Sequence, residues 1–469
     1  MGDGGARGTC GTRTEKAPAR RAQRSHVSGD PRGSWGIEPV PDRLRVLGVF
    51  DTGLLWGNLG VSLLVLAAGA YLVPALSLPQ ALVVVVVGAL VGNAMLATAA
   101  LIGADARVPA MVLMRAPLGR RGSALPTVVN VVQCLGWATF ELLVISTAAA
   151  ALSDDLIGVR AQWAWTLGFG ALAWLLAIAG PIGVVRRFIR KAVGWTVPLA
   201  LAYLTWWALS GTDLGDLWGR PGEGGLSTWQ GIDLVVGITV SWIPLAADYT
   251  RFSRSRRAAF WGSGIGYLIP DAWLIALGAV IFLSRDLSDP TALPAAVVAG
   301  GVAAGLALLA LTVTEVDEAF ANVYSAGVST QNLAATVSQR LLVGVAAALA
   351  TVGALLLNFG AFESFLFLLG SLFVPLFAVL LADWLAAGRA YPPERVFAAP
   401  AWRPGLIGAW VAGFVLYQWL QPTGPSAWVA LVERLDPPGW GIGATLPAFV
   451  VSFVVALVVA LTARLRARL

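Results

Sequence analysis

The chain has 469 residues, of which 57% are hydrophobic and only 12% charged, about half the charged share of a soluble domain. The length would serve two or three soluble domains, but no soluble fold hides this much apolar surface. The net charge of +6 does not mark a nucleic-acid binder, because the basic residues lie in the first 45 positions and between apolar runs. Cys10 and Cys134 give no disulfide framework. The single histidine, His26, lies in the polar amino-terminal stretch, so neither a histidine metal site nor a histidine proton relay is expected.

Residues 1–45 are rich in Gly, Arg, Ala and Ser and read as a disordered cytoplasmic tail. They are not a signal peptide, since no apolar segment begins before Val46. Residues 46–469 form the membrane domain. Its apolar runs are long enough to cross a hydrocarbon core about 30 Å thick. Runs such as Ala81 to Leu90 do not alternate as barrel strands would, so an all-α integral membrane fold is expected. Twelve spans are predicted, at 48–74, 80–103, 126–152, 163–185, 193–211, 231–250, 260–284, 293–324, 340–357, 361–387, 404–421 and 442–463. The break between the ninth and tenth rests on Asn358 and Gly360.

Basic residues set the orientation. With the tail inside, the inner segments hold Arg107, Arg115, Arg120 and Arg121, then Arg186, Arg187, Arg190 and Lys191. Arg251, Arg254, Arg256 and Arg257 follow, and the alternation continues to Arg468. Of the 32 basic residues, only Arg160, Arg220, Arg285 and Arg434 fall outside. A multi-pass protein of the inner or plasma membrane, with both termini cytoplasmic, is expected.

The first span carries Gly53, Gly57 and Gly60 around Asn58. In the sixth, Gly237 and Pro244 flank Ser241 and Trp242. Such residues weaken a helix interior, and interrupted helices at matching positions of two halves mark the binding site of inverted-repeat transporters. The pair suggests a five-plus-five repeat (about 48–211 and 231–387) with two further helices at about 404–463. The plainer alternative is that the glycines only permit close helix packing.

A carboxylate at mid-membrane costs at least about 2.5–3.5 kcal/mol and usually has a task. In the third span Gln133, Trp137 and Glu141 recur every four residues and share one face. An amide, an aromatic plane and a carboxylate there suit a flat heteroaromatic solute that stacks on Trp137. The competing reading is a polar helix–helix contact. The eighth span contains Glu315, Asp317, Glu318 and Asn322, with Glu315, Glu318 and Asn322 on one face. Neighbouring buried carboxylates cannot all ionise cheaply, which suits proton binding and release. A partly wet cytoplasmic mouth is the alternative. Asp248 and Arg251, ending the sixth span, are expected to pair as a structural contact.

Three motifs carry a resemblance: Gln133 to Trp137 (QCLGW), Ser241 to Leu245 followed by Asp248-Tyr249-Thr250-Arg251, and Asn322 to Gly327. In this order they resemble the nucleobase:cation symporter family of cytosine, hydantoin, allantoin and hydroxymethylpyrimidine transporters. The second motif is most similar to the hydroxymethylpyrimidine branch. The resemblance implies the leucine-transporter-like fold and alternating access around spans one, three, six and eight. It implies import of a nucleobase-like solute with H+ or Na+, and neither a cofactor nor an enzymatic reaction. Substrate contacts are expected from Gln133, Trp137, Glu141, Thr239, Ser241, Trp242, Glu318, Asn322 and Asn58. Sodium-coupled relatives carry Ser or Thr before the asparagine, with first-helix carbonyls near Gly53 to Gly57. Here Asp317 and Glu318 take those places, so the expected cation or proton site is Gly53, Gly57, Glu315, Asp317 and Glu318. Other readings are hydroxymethylpyrimidine or other thiamine-precursor uptake, allantoin or hydantoin uptake, a channel or receptor, and a membrane enzyme. The expected partners are the small solute and the lipid bilayer, with no nucleic acid.

Overall fold

The helices start where the sequence supplies caps. Ser62, Ser77, Ser227, Ser255 and Ser338 each accept a backbone N–H in the first turn of the helix that follows. The computed structural model describes residues 1–2, 36–184, 194–287, 289–358, 360 and 362–466. Most of the predicted tail, and the basic group Arg186, Arg187, Arg190 and Lys191, lie outside the described residues.

The main helices are α1 Val49–Leu59, α2 Leu63–Ala68, α3 Leu78–Ala106, α4 Ala124–Ile157, α5 Gln162–Val184, α6 Gly194–Leu209 and α7 Thr228–Val240. There follow α8 Ile243–Thr250, α9 Arg256–Ser284, α10 Val302–Thr330, α11 Gln339–Leu356, α12 Phe362–Ala386, α13 Pro404–Leu420 and α14 Thr445–Arg466. No β-strand occurs among the described residues; Leu47 and Ser253 form an isolated bridge. Among the described residues, eight helices are long and apolar enough to cross a membrane, or nine when the bent pair α1–α2 is one span. Two shorter apolar helices, Thr196–Leu209 and Pro404–Leu420, fall below that length. The helix α10 carries its carboxylates in mid-length.

Two predicted boundaries need correction. The eighth span starts at Val302, because Gly301 (φ 98°) separates it from a short helix at Leu293–Val298. The tail does not run to 45. Val40 and Leu47 are buried, Val40 N–H donates to the Arg107 carbonyl at 2.9 Å, and Arg251 reaches the Gly36 carbonyl at 2.8 Å. The stretch from residue 36 is thus strapped across the ends of α3 and α8.

The helices pack as two groups. In one, α1, α3, α7 and α9 lie against each other; in the other, α4, α5, α10 and α11 do. A third set, α12 to α14, packs mainly on itself. Part of the seam between α1 and α9 is glycine on glycine. A Cβ on Gly57 would sit 3.3 Å from the Gly266 carbonyl, and one on Gly266 would sit 2.6 Å from that of Gly53. The packing role therefore governs the side-chain faces of Gly53 and Gly57.

Candidate functional site

The break in the first span is the pivot of the site. Between α1 and α2 the chain bends by 56°, and Val61 and Ser62 leave the helix. Freed N–H groups at the start of α2 need acceptors, because lipid offers none. Ser62 Oγ takes the Leu64 and Val65 N–H groups at 3.0 and 3.4 Å. Glu315 Oε1 takes the Leu63 N–H at 2.6 Å and the Ser62 hydroxyl at 2.8 Å. On the other side of the break, the Asn58 amide donates to Asp317. Two carboxylates of α10 therefore grip the two ends of the broken helix.

The face predicted on the third span meets α10 in a fixed antiparallel register. Asn332 donates to Thr127 Oγ1 at 2.9 Å and Asn130 to Ser329 Oγ at 2.8 Å. Farther along, the same register brings the Glu141 carboxyl beside Glu318 and Glu315, with both its oxygens buried and without a hydrogen-bond partner. The same register sets Trp137 level with Asn322, whose amide donates to the Glu318 carbonyl at 3.2 Å. Three carboxyl groups, Glu141, Glu315 and Glu318, thus converge beside an aromatic plane and an amide. A carboxyl can bond another only by sharing a proton. Among the described residues no cluster of His, Cys, Asp and Glu has metal-holding geometry.

The break in the sixth span is slighter. Ser241 and Trp242 interrupt α7 and α8 yet keep near-helical backbone angles, and 228–250 serves as a single span. Gln133 Nε2 donates to the Ser241 carbonyl at 3.0 Å and to Asn130 Oδ1 at 2.9 Å. Trp242 donates to the Tyr267 hydroxyl at 2.9 Å, and its ring meets Trp56 edge to face at 5.8 Å. Trp56 also packs against Tyr249 and Tyr267.

Some expected residues do not join this site. Thr239 turns away, and its hydroxyl donates to Asp271 at 3.0 Å. The Ser241 hydroxyl is spent on the Ile238 carbonyl at 2.6 Å. Gly53 and Gly57 face α9, and Asn58 joins the carboxylates rather than the Trp137 face. Asp248 accepts the Ala110 N–H at 2.8 Å, while Arg251 touches it at its backbone carbonyl and extends to the Tyr324 hydroxyl at 3.0 Å. The contact between Asp248 and Arg251 that the structure shows thus runs through the Asp248 main-chain carbonyl, while the Ala110 N–H takes carboxylate Oδ1.

Other residues escaped sequence reasoning. Phe362 and Phe365 pack edge-on against Trp137 with centroids 5.7 and 5.6 Å away. Their position depends on where the tenth span begins. Ser62 could have been found as a cap residue just after the glycine break. Asp271 could have been found as a carboxylate inside an apolar run. The site is closed: Trp137, Glu141 and Asn322 are 7%, 0% and 2% exposed. A cavity of about 580 Å³ lies to its side, between α1, α6 and α9, with Asn58 reaching its wall. The rings of Phe362 and Phe365 fill the space beside Trp137 in this conformation.

Comparison with known proteins follows the same outline. The profile of the family described as permeases for cytosine/purines, uracil, thiamine and allantoin matches residues 39–395. A Bacillus subtilis protein named as a purine-cytosine permease, YxlA, is 24% identical over 271 residues, covering 55% of each chain. The purine-cytosine permease FCY2 of Saccharomyces cerevisiae is 23% identical over 266 residues, covering 55% of this chain and 49% of its own. The chain thus spans about half the length of these curated relatives. Among solved structures, Mhp1, a nucleobase-cation-symport-1 family transporter with bromovinylhydantoin bound in a closed conformation, aligns with a TM-score of 0.73. It is 18% identical over 92% of this chain and 95% of its own. A Na+-coupled sialic acid symporter aligns with a TM-score of 0.63 at 11% identity, covering 90% of each chain. These likenesses establish the fold.

Proposed function

This chain belongs to the family of permeases for cytosine, purines, uracil, thiamine and allantoin, and on that premise we propose that it imports a nucleobase-like solute together with a proton. Its twelve spans cross the plasma membrane with both termini inside, and α12 ends the second repeat. The observation that carries this reading is the register of α4 on α10. It supports a site in which Trp137 stacks on the ring, Gln133 and Asn322 orient it, and Glu141 accepts ring N–H donors.

The coupling ion is a proton held among Glu141, Glu315 and Glu318, with Asp317 beside them. Direct carboxylate contacts to Asn58, Ser62 and Leu63 supply the link between spans one and eight. Protonation of Glu315 weakens its grip on α2, which ties the proton to the opening of the break. Glu141 favours rings with two or more donors, such as cytosine, an aminopyrimidine or a purine.

Uptake into proteoliposomes tests this. Cytosine, uracil, adenine, guanine, allantoin and hydroxymethylpyrimidine would be offered under a pH gradient and, separately, under a Na+ gradient. Accumulation should rise as the outside becomes more acidic than the inside. Sodium-driven uptake indifferent to pH would overturn the proton assignment. Equal binding of all six rings by wild type and Glu141→Gln would remove the role given to Glu141.

A further inference from the structure

A second buried acid lies away from this cluster. Asp271, on α9, is fully buried where α3 and α7 meet α9. Its Oδ2 accepts from Thr239 Oγ1 at 3.0 Å and from Asn93 Nδ2 at 3.2 Å. The other hydrogen of the Asn93 amide goes to the Ala89 carbonyl at 2.9 Å. Two oxygens are left over, both buried and both without a partner: Asp271 Oδ1 and Asn93 Oδ1. They belong to the two side chains that are already joined through Asp271 Oδ2 and Asn93 Nδ2.

We propose that Asp271 is a proton-binding site separate from the carboxylates of α10, carrying its proton on Oδ1 and donating it to Asn93 Oδ1. The result is a neutral acid–amide pair, closed by one N–H···O and one O–H···O bond. A single proton then satisfies both orphaned acceptors, which is the usual condition of buried polar atoms. Without it, two acceptors with no donor between them are left in a low-dielectric interior, at high cost.

The surroundings favour the proton. Asn93 from α3 and Thr239 from α7 are neutral. The titratable groups in the field of Asp271 are Tyr267, one turn back on its own helix, and Glu318 from α10. Neither supplies a positive charge. A hard metal cation takes about six oxygens, whereas only two are left free here. The site does not depend on which solute is carried. Thr239 stands two residues before the interruption at Ser241, and Tyr267 bonds Trp242 within it, so α9 holds both sides of that break.

Asparagine at 271 would reproduce every bond of the protonated acid: its carbonyl accepts from Thr239 and Asn93, and its NH2 donates to Asn93 Oδ1. Asp271→Asn should therefore unfold at the wild-type temperature in detergent, while Asp271→Leu unfolds at a lower one. The infrared difference between wild type and Asp271→Asn at neutral pH should contain a protonated-carboxyl C=O stretch that shifts in D2O. That band should persist when both proteins also carry Glu318→Gln. Ionised-carboxylate stretches in the difference spectrum would overturn the proposal. So would a band erased by added Na+, which would mark a metal-cation site, or Asp271→Asn as unstable as Asp271→Leu.

Discussion

The two interruptions, one in each half of the chain, are handled by opposite chemistry. At the first, the chain bends and the start of α2 is left with unpaired N–H donors. Those donors are met by a hydroxyl and by the carboxylate of Glu315, as the positive end of a helix favours. At the second, Pro244 lies in the first turn of α8 and has no N–H to satisfy. What is left over there is an acceptor, the Ser241 carbonyl, and an amide donor from Gln133 meets it. An acidic helix faces the break that frees donors, and an amide-bearing helix faces the break that frees an acceptor. The Glu315 carboxylate that meets the first break can respond to a proton; the Gln133 amide that meets the second cannot.

Substitutions sharpen this contrast. Glu315→Ala should have the largest effect, since it strands the Leu63 N–H and the Ser62 hydroxyl away from water. A loss of about 2–3 kcal/mol is expected, read as a lower unfolding midpoint in detergent and uptake reduced roughly 30- to 150-fold. Glu315→Gln keeps an acceptor and should spare stability while removing the response of uptake to pH. Next comes Asp317→Ala, which strands the Asn58 amide and should cost about 1–2 kcal/mol; Asp317→Asn should recover most of it. Gln133→Leu leaves the Ser241 carbonyl unpaired at the second break, for about 1 kcal/mol. Solute affinity should fall about fivefold by equilibrium binding, with the pH response intact. If Gln133→Leu altered the pH response and Glu315→Gln did not, the contrast between the breaks would be reversed. Pro244→Ala should be the mildest, within about 0.5 kcal/mol, because the residue lies in a first turn that tolerates either side chain.

Apolar helices such as Gln339–Leu356 were legible because hydropathy is a one-dimensional signal, and this one begins and ends within a residue of expectation. The Gln133–Trp137–Glu141 face was legible because four-residue spacing fixes a common side on any helix. Which neighbour that face meets is not contained in spacing. Thr239 shows the limit: its place in the sixth span could be read, but its turn toward Asp271 depends on how α3, α7 and α9 are rotated. The glycines of the first span could be read only in part, for a related reason. Small residues serve both a break and a tight contact, and only the opposing Gly262 and Gly266 decide that Gly53 and Gly57 belong to the contact. The extension of the eighth span back to 293 failed because apolar residues continue through Gly300 and Gly301, where the backbone turns.

That glycine contact constrains how the molecule can work. Where Gly53 and Gly57 meet Gly262 and Gly266 backbone lies on backbone, so α1 and α9 behave as one lever. Any tilt that opens the bend at Gly60 is inherited by α9. The acid–amide pair beneath Tyr267 then rides on the moving part, and Glu315 belongs to the opposing group of helices.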